Sequence, residues 1–319
     1  MRHFLSLFDI NQTELNSILS LAAQVKALLN RGVRPNWLPG HVLAMLFEKP
    51  SLRTRVSFEA GIAQLGGTSM YLGADVGWQK RESLSDFTRV LAEYVDFVVC
   101  RTKSHQSVVD MASFNCVPVI NGLTDTAHPC QALGDLLSML EVDSNLGGKT
   151  LAFVGDGNNV AQSLVHACAM MGMKFRLLGP AQYFIKDSFV QQVAKVYPNL
   201  DFVQSDKPEK ILPSANFVYT DVWISMGQEA EAAERIRAFS PFQLSEKLMA
   251  LTGTKSKIMH CLPARRGEEI TDGVIDSSDS IIVQQAGNRM HAQKALLLWM
   301  SLQHGTLDSS QLSKEGIML

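Results

Sequence analysis

Short apolar runs of strand length alternate with helix-length patterns along almost the whole chain. This alternation constrains the fold more than any other feature. The apolar runs are VLAMLF at 42–47, FVVCR at 97–101, VPVING at 117–122, TLAFVGD at 150–156, FRLLGP at 175–180, NFVYTD at 216–221 and IMHCLP at 258–263. Helical patterns lie between them, at 54–66, 84–93, 128–142 and 158–171. Continuous apolar strands are buried on both faces, and repeated βαβ units put helices on both sides of a parallel sheet. The expected class is therefore α/β, built from doubly wound parallel sheets. The polar, glycine-bearing stretch VDSNLGGK at 142–149 is the best candidate boundary, separating a domain at 1–142 from one at 149–289.

Composition narrows the function classes. With 319 residues, 46% hydrophobic and 19% charged, the chain can bury two cores and lacks the signature of disorder. A formal net charge of −2 argues against nucleic acid or an anionic membrane as partner, while leaving room for a local basic pocket. No signal peptide is evident and no apolar run reaches bilayer length, so a cytoplasmic location is expected. The five cysteines form no CxxC pair, which suits free thiols in a reducing compartment better than disulfides or a structural zinc.

The candidate chemistry sits at strand ends, where open α/β sheets bind ligands. After the first strand comes Lys49-Pro50-Ser51-Leu52-Arg53-Thr54-Arg55 at a helix start. There, free backbone N–H groups, two hydroxyls and a guanidinium suit an anion; an ordinary N-cap with solvated arginines is the bland alternative. Arg101 ends the strand at 97–101. His128-Pro129-Cys130-Gln131 opens a long helix, and its imidazole and amide could serve a carbonyl oxygen gaining charge. Gly155-Asp156-Gly157-Asn158-Asn159-Val160 lacks the third-glycine spacing of a dinucleotide fingerprint, so its asparagines suit an amino-acid carboxylate better than a nucleotide. Asp221, followed by Val222-Trp223-Ile224-Ser225-Met226-Gly227, offers a carboxylate for an ammonium group and a loop that could close. In His260-Cys261-Leu262-Pro263, adjacent strand positions point opposite ways, which disfavours a Cys–His dyad. Asn288-Arg289 is read as opening the last helix.

Taken in order, FEKPSLRTRVSFE, HPCQAL, DVWISMGQE, MHCLPARR and QQAGNRMHAQKA resemble the aspartate/ornithine carbamoyltransferase family across residues 3 to 300, and the SMG loop resembles its ornithine branch. The resemblance implies two α/β domains flanking a cleft, with the C-terminal helix, about 290–319, returning to the first domain. It implies that the first domain binds carbamoyl phosphate and the second the acceptor amino acid. It also implies a homotrimer with shared active sites, and no metal or organic cofactor. Residue by residue, it implies carbamoyl phosphate ligands at Ser51, Leu52 (backbone), Arg53, Thr54, Arg101, His128, Gln131, Leu262 (backbone) and Arg289. Ornithine ligands fall at Asn159, Asp221, Ser225 and Met226, and Cys261 lies beside the reacting carbonyl. Arg101, His128, Cys261 and Asp221 carry the expected catalytic roles. The reaction implied is carbamoyl transfer to the δ-amine of L-ornithine, giving citrulline and phosphate.

Three departures stand out. Leu52 replaces a hydroxyl residue but keeps its backbone N–H, Gly287 replaces an acidic residue and is expected to loosen the loop that aims Arg289, and 75–82, DVGWQKRE, corresponds to the loop lent by a neighbour, with Gln79 and Lys80 among its candidates. The rival readings are transfer to putrescine or an N-acylated ornithine, a nucleotide-dependent dehydrogenase, and a non-catalytic interaction subunit.

Overall fold

The computed structural model describes residues 1–78, 81–225 and 228–318. The chain forms two compact units, one of Met1–Leu137 with Gly287–Leu319 and one of Ser138–Ala286.

The first unit begins with α1 (Gln12–Asn30), then β1 (Val42–Phe47), α2 (Leu52–Gln64), β2 (Thr68–Leu72), α3 (Leu84–Ala92), β3 (Phe97–Arg101), α4 (His105–Ser113), β4 (Val119–Leu123) and α5 (Pro129–Val142), which runs into the second unit. The second unit continues with β5 (Thr150–Val154), α6 (Asn159–Met170), β6 (Lys174–Leu178), α7 (Asp187–Val196), β7 (Asp201–Ser205), α8 (Pro208–Ile211), β8 (Phe217–Thr220), α9 (Ala232–Phe239), α10 (Glu246–Met249), β9 (Lys257–His260) and α11 (Asp272–Ile275). Helix α12 (Ile282–His304) returns the chain to the first unit, where α13 (Ser309–Ser313) follows.

Each unit holds one parallel sheet, in the order β2-β1-β3-β4 and β7-β6-β5-β8-β9 respectively. This matches the α/β reading. The central strands are apolar because both faces are covered: in β1 Ala44 and Leu46 join one core while Leu43, Met45 and Phe47 are buried on the opposite face, and in β5 Ala152 and Val154 join another core while Leu151 and Phe153 are buried opposite.

The strand order fixes where ligands can enter. In the first sheet the winding reverses between the neighbours β1 and β3, and in the second between β5 and β8. The loops leaving two such strands diverge and open a crevice at the carboxyl ends. Ser51–Thr54 follows β1 and Arg101 ends β3, while Gly155–Asn158 follows β5 and Asp221 follows β8. The motifs thus occupy both switch points.

Two expectations need correction. Arg289 does not open the last helix: α12 begins at Ile282, so Gly287 lies more than one turn inside it and Arg289 about two, and no loop aims the arginine. Burial of the Ile281-Ile282 pair overrides the strand preference that β-branched residues suggest. The start, MRHFLSLFDINQTELNSIL, reads from its sequence as strand, turn and amphipathic helix, but its strand is a single bridge, Phe4 to Ile120, ahead of α1.

Candidate active site

In the first unit the site is built around one hydroxyl. Ser51 caps α2, its Oγ accepting from the Thr54 N–H, and this turn buries Thr54 completely. Thr54 Oγ1 then accepts from Ser51 Oγ at 3.1 Å, from Arg101 Nη1 at 3.2 Å and from Arg289 Nη2. Arg289 also donates to Gln131 Oε1 at 3.2 Å, and Gln131 Nε2 donates to the buried Asp135 carboxylate at 2.8 Å. Gly134 makes this possible, since a Cβ there would lie 3.0 Å from Arg289 Cα. A larger residue would push α12 off α5 and withdraw the guanidinium.

The electrostatics of this cluster are lopsided. Arg101 and Arg289 are 8% and 4% exposed, and Arg53 lies close enough to repel Arg101. Burial, with Arg289 and Arg53 beside it, pulls the Arg101 pKa down to about 10. The only hydrogen bond of its guanidinium among the described residues is to Thr54, a neutral group, and its Nε is buried without a partner there. Burial together with Arg289 and Arg101 also holds His128 well below its usual pKa, so the imidazole is neutral at pH 7. Guanidiniums gathered in a buried crevice are what an anion site requires. The first turn of α2 adds backbone donors from the same side. Leu52 is 72% exposed, so losing a hydroxyl there disturbs none of these bonds.

In the second unit the centre is a carboxylate. Asp221 Oδ1 accepts from Val222 N at 2.8 Å and from Cys261 Sγ at 2.9 Å, while Oδ2 accepts from Asn158 Nδ2 at 2.9 Å. Asn158 is held in turn as the N-cap of α6, its Oδ1 accepting from Val160 N and Ala161 N. The neighbouring Leu262 sits in the left-handed region at φ 57°, pinned where its N–H donates to His260 Nδ1 at 2.8 Å. That bond leaves the proton on Nε2, which faces Glu269 Oε1 at 3.0 Å; both side chains are fully buried. His260 therefore turns to Glu269 and Cys261 to Asp221, as the strand alternation demands.

Asp221, His260 and Cys261 bring ligand-type atoms within 4.8 Å of one another. Both nitrogens of the His260 ring are already committed to buried partners, so a metal could take one only by breaking such a bond. The donor set fits a hydrogen-bonded network better than a cation site.

Residues 2–141 match the carbamoyl-P binding domain of the aspartate/ornithine carbamoyltransferase family, and residues 147–300 match its Asp/Orn binding domain. The chain belongs to this family. An ornithine carbamoyltransferase of Anoxybacillus flavithermus is 47% identical over 300 residues, covering 93% of this chain and 96% of that one. One from Archaeoglobus fulgidus is 44% identical over 299 residues, covering 93% and 97%. Among solved structures, the ornithine carbamoyltransferase of Pyrococcus furiosus superposes with a TM-score of 0.89 at 43% identity, covering 93% of this chain and 96% of that one.

Of the residues singled out from sequence, the first sheet gathers Ser51, Arg53, Thr54, Arg101, His128, Gln131 and Arg289 around one point. The second gathers Asp221 and Cys261, with Leu262 next in the chain. Asn159 is the first residue of α6 and Ser225 is half-buried beyond Trp223. Gln79, Lys80, Met226 and Gly227 lie outside the described residues. Trp78, in the segment expected to serve a neighbour, packs into the core of its own unit. Sequence reasoning missed Gly134, Asp135 and the contact between Asn158 and Asp221. Only the glycine inside an apolar helix and the Asx-type cap carried a local signal.

Proposed function

We propose that this protein transfers the carbamoyl group of carbamoyl phosphate to the δ-amine of L-ornithine, giving L-citrulline and phosphate. The observation that carries the reading is the cluster of Arg53, Arg101 and Arg289 about Thr54 and a neutral His128, at the switch point of a domain that matches a carbamoyl-P binding family. Arg101 and Arg289 both donate to the neutral Thr54 hydroxyl, which a bound anion would replace as acceptor.

In this reading Ser51, the Leu52 N–H, Arg53, Thr54 and Arg289 hold the phosphate, whose departure they favour by neutralising its charge. Arg101, His128 and Gln131 face the carbonyl. His128, held neutral, donates a hydrogen bond to the oxygen without adding a fourth full charge to the cluster. Leu262 and Cys261 complete the carbamoyl ligand set. Asp221 receives the α-ammonium of ornithine, while Asn159, Ser225 and Met226 receive its carboxylate end. The nucleophile must be a neutral amine, and a free aliphatic amine has a pKa near about 10. A dry site favours its deprotonated form. No covalent intermediate is needed; positioning and electrostatics supply the rate.

Fixing both α-groups leaves the δ-amine as the end free to react. Putrescine would leave these polar groups unpaired, and aspartate would bring a second carboxylate with no added arginine in the 221–228 segment to meet it. We further infer a homotrimer in which 75–82 completes a neighbour's site. No helix among the described residues is long and apolar enough to cross a membrane.

The test is citrulline formation at saturating carbamoyl phosphate with ornithine, putrescine, N-acetylornithine and aspartate in parallel. Ornithine should exceed the others in kcat/KM by orders of magnitude. Parity with any other acceptor would end the assignment.

A further inference from the structure

Among the described residues Arg235, on α9, makes no hydrogen bond to Asp221, yet it is 2% exposed. Its Nε donates to the Trp223 carbonyl at 2.5 Å and its Nη2 to the Asp156 carboxylate. The guanidinium also lies over the Tyr183 ring at 4.6 Å from the centroid and over the Phe239 ring at 5.3 Å. Tyr183, Phe239 and Trp223 pack on one another, the first pair at 4.8 Å and the second at 6.2 Å. The planar cation is thus held at its edge by two acceptors and lies over a pair of packed aromatic rings.

The two acceptors belong to the two loops of the acceptor site. Asp156 lies in Gly155-Asp156-Gly157-Asn158, and the last of these residues donates to Asp221. Trp223 lies two residues beyond Asp221 and two before Ser225. The same Tyr183 whose ring covers Arg235 accepts from Gly157 N at 2.8 Å, and a Cβ at Gly157 would lie 2.5 Å from Ile185 N. The loop after β5 is therefore pressed onto 183–185 and leaves its carboxylate facing Arg235. Burial raises the Asp156 pKa, with Arg235 opposing that shift. The loops are joined once by Asn158 to Asp221 and again by Arg235 between Asp156 and Trp223.

We propose that Arg235 is a positioning residue for the acceptor amino acid, clamping the 155–158 loop to the 221–225 segment so that Asp221 and Ser225 are presented in fixed register. This rests on the ornithine reading above. Arg235 touches no reacting atom and acts through Asp156 and the Trp223 carbonyl. Lysine at this position keeps the charge near Asp156, but an ammonium has no planar fork with which to hold Trp223 O as well or to lie over the two rings.

The experiment compares wild type, Arg235→Lys, Asp156→Asn and Tyr183→Leu in the full-length enzyme. It measures KM for ornithine, KM for carbamoyl phosphate, kcat, and inhibition by norvaline, which keeps the α-groups and lacks the reacting amine. The clamp predicts that Arg235→Lys raises the ornithine KM and the norvaline inhibition constant together by tenfold or more, with the carbamoyl phosphate KM within twofold. Asp156→Asn should move the same way, and Tyr183→Leu the same way by less. A structural role alone would lower thermal stability and active fraction without this split. If Arg235→Lys does not fold, Asp156→Asn decides by the same criterion. An unchanged ornithine KM, or equal rises in both KM values, would overturn the clamp while leaving the assigned reaction standing. A wild-type enzyme that makes no citrulline would overturn the reaction, and the clamp with it.

Discussion

Replacing Thr54 with valine removes one oxygen and nearly preserves the shape of the side chain. In this structure that oxygen is the acceptor for Arg101, Arg289 and Ser51, in a position with no exposure to solvent. A hydrogen bond from a charged donor contributes about 1.5–3 kcal/mol. Two such bonds are lost, giving on the order of 3–6 kcal/mol. Arg289 keeps Gln131, so its share falls at the low end, whereas the Arg101 guanidinium has no other hydrogen bond among the described residues and its share falls at the high end. A loss near about 4 kcal/mol corresponds to roughly 8–16 °C in Tm for a unit of this size. If the same contacts persist in the transition state, turnover falls by on the order of a hundredfold or more. The assay is thermal unfolding and citrulline formation for wild type, Thr54→Val and Thr54→Ser. Serine keeps the oxygen and should recover most of both quantities. Added inorganic phosphate should raise the wild-type Tm, because a ligand of the folded state alone stabilises it by mass action. A Thr54→Val enzyme within about 2 °C of wild type and within a few-fold in rate would refute the idea that the guanidiniums depend on this hydroxyl, since even one lost bond should shift Tm by more.

Three further outcomes follow from particular residues. His128 is held neutral, so below about pH 6.5 the unfolded chain takes up a proton that the folded chain refuses, and stability falls as pH falls. His128→Asn should remove up to about 1.4 kcal/mol per pH unit of that slope in urea titrations between pH 7 and 5.5, and parallel slopes would contradict it. Gly287 lies inside α12, and a Cβ added there would meet nothing within 4 Å, so Gly287→Ala should stabilise by about 0.5–1 kcal/mol in denaturant melts; destabilisation would show that the glycine backbone is required. Cys261 donates to Asp221, a bond a serine hydroxyl can also make, so Cys261→Ser should retain measurable turnover; trapping a carbamoyl-thioester on Cys261 by mass spectrometry would disprove the supporting role.

The sequence was legible where burial is uniform. VLAMLF, FVVCR and TLAFV are central strands covered on both faces, so their composition alone marks them. β2 and β7 lie at sheet edges, are only partly buried, and carry TSMYL and DFVQS, which no continuous apolar run betrays. The last helix was misread at its start because its first residues favour strands in isolation and only the packed core makes them helical. Arginines at strand ends were visible as an anion site because the fold class places strand ends at the crevice. What bonds them was not. Thr54 meets Arg289 across 235 positions and Gln131 meets it across 158, separations that no local pattern encodes. The same holds for Arg235 and Asp156, 79 positions apart. The roles of Ser225 and Met226 came from the family resemblance alone.

Turnover of the assigned kind must form a bond between the carbamoyl carbon and the δ-nitrogen of ornithine. Incubating the enzyme with carbon-13 carbamoyl phosphate and ornithine labelled with nitrogen-15 at the δ position tests this directly by NMR. The product should show a one-bond carbon–nitrogen coupling that appears in step with phosphate release. Phosphate release without that coupling, or carbon label on the α-nitrogen, would contradict the assignment.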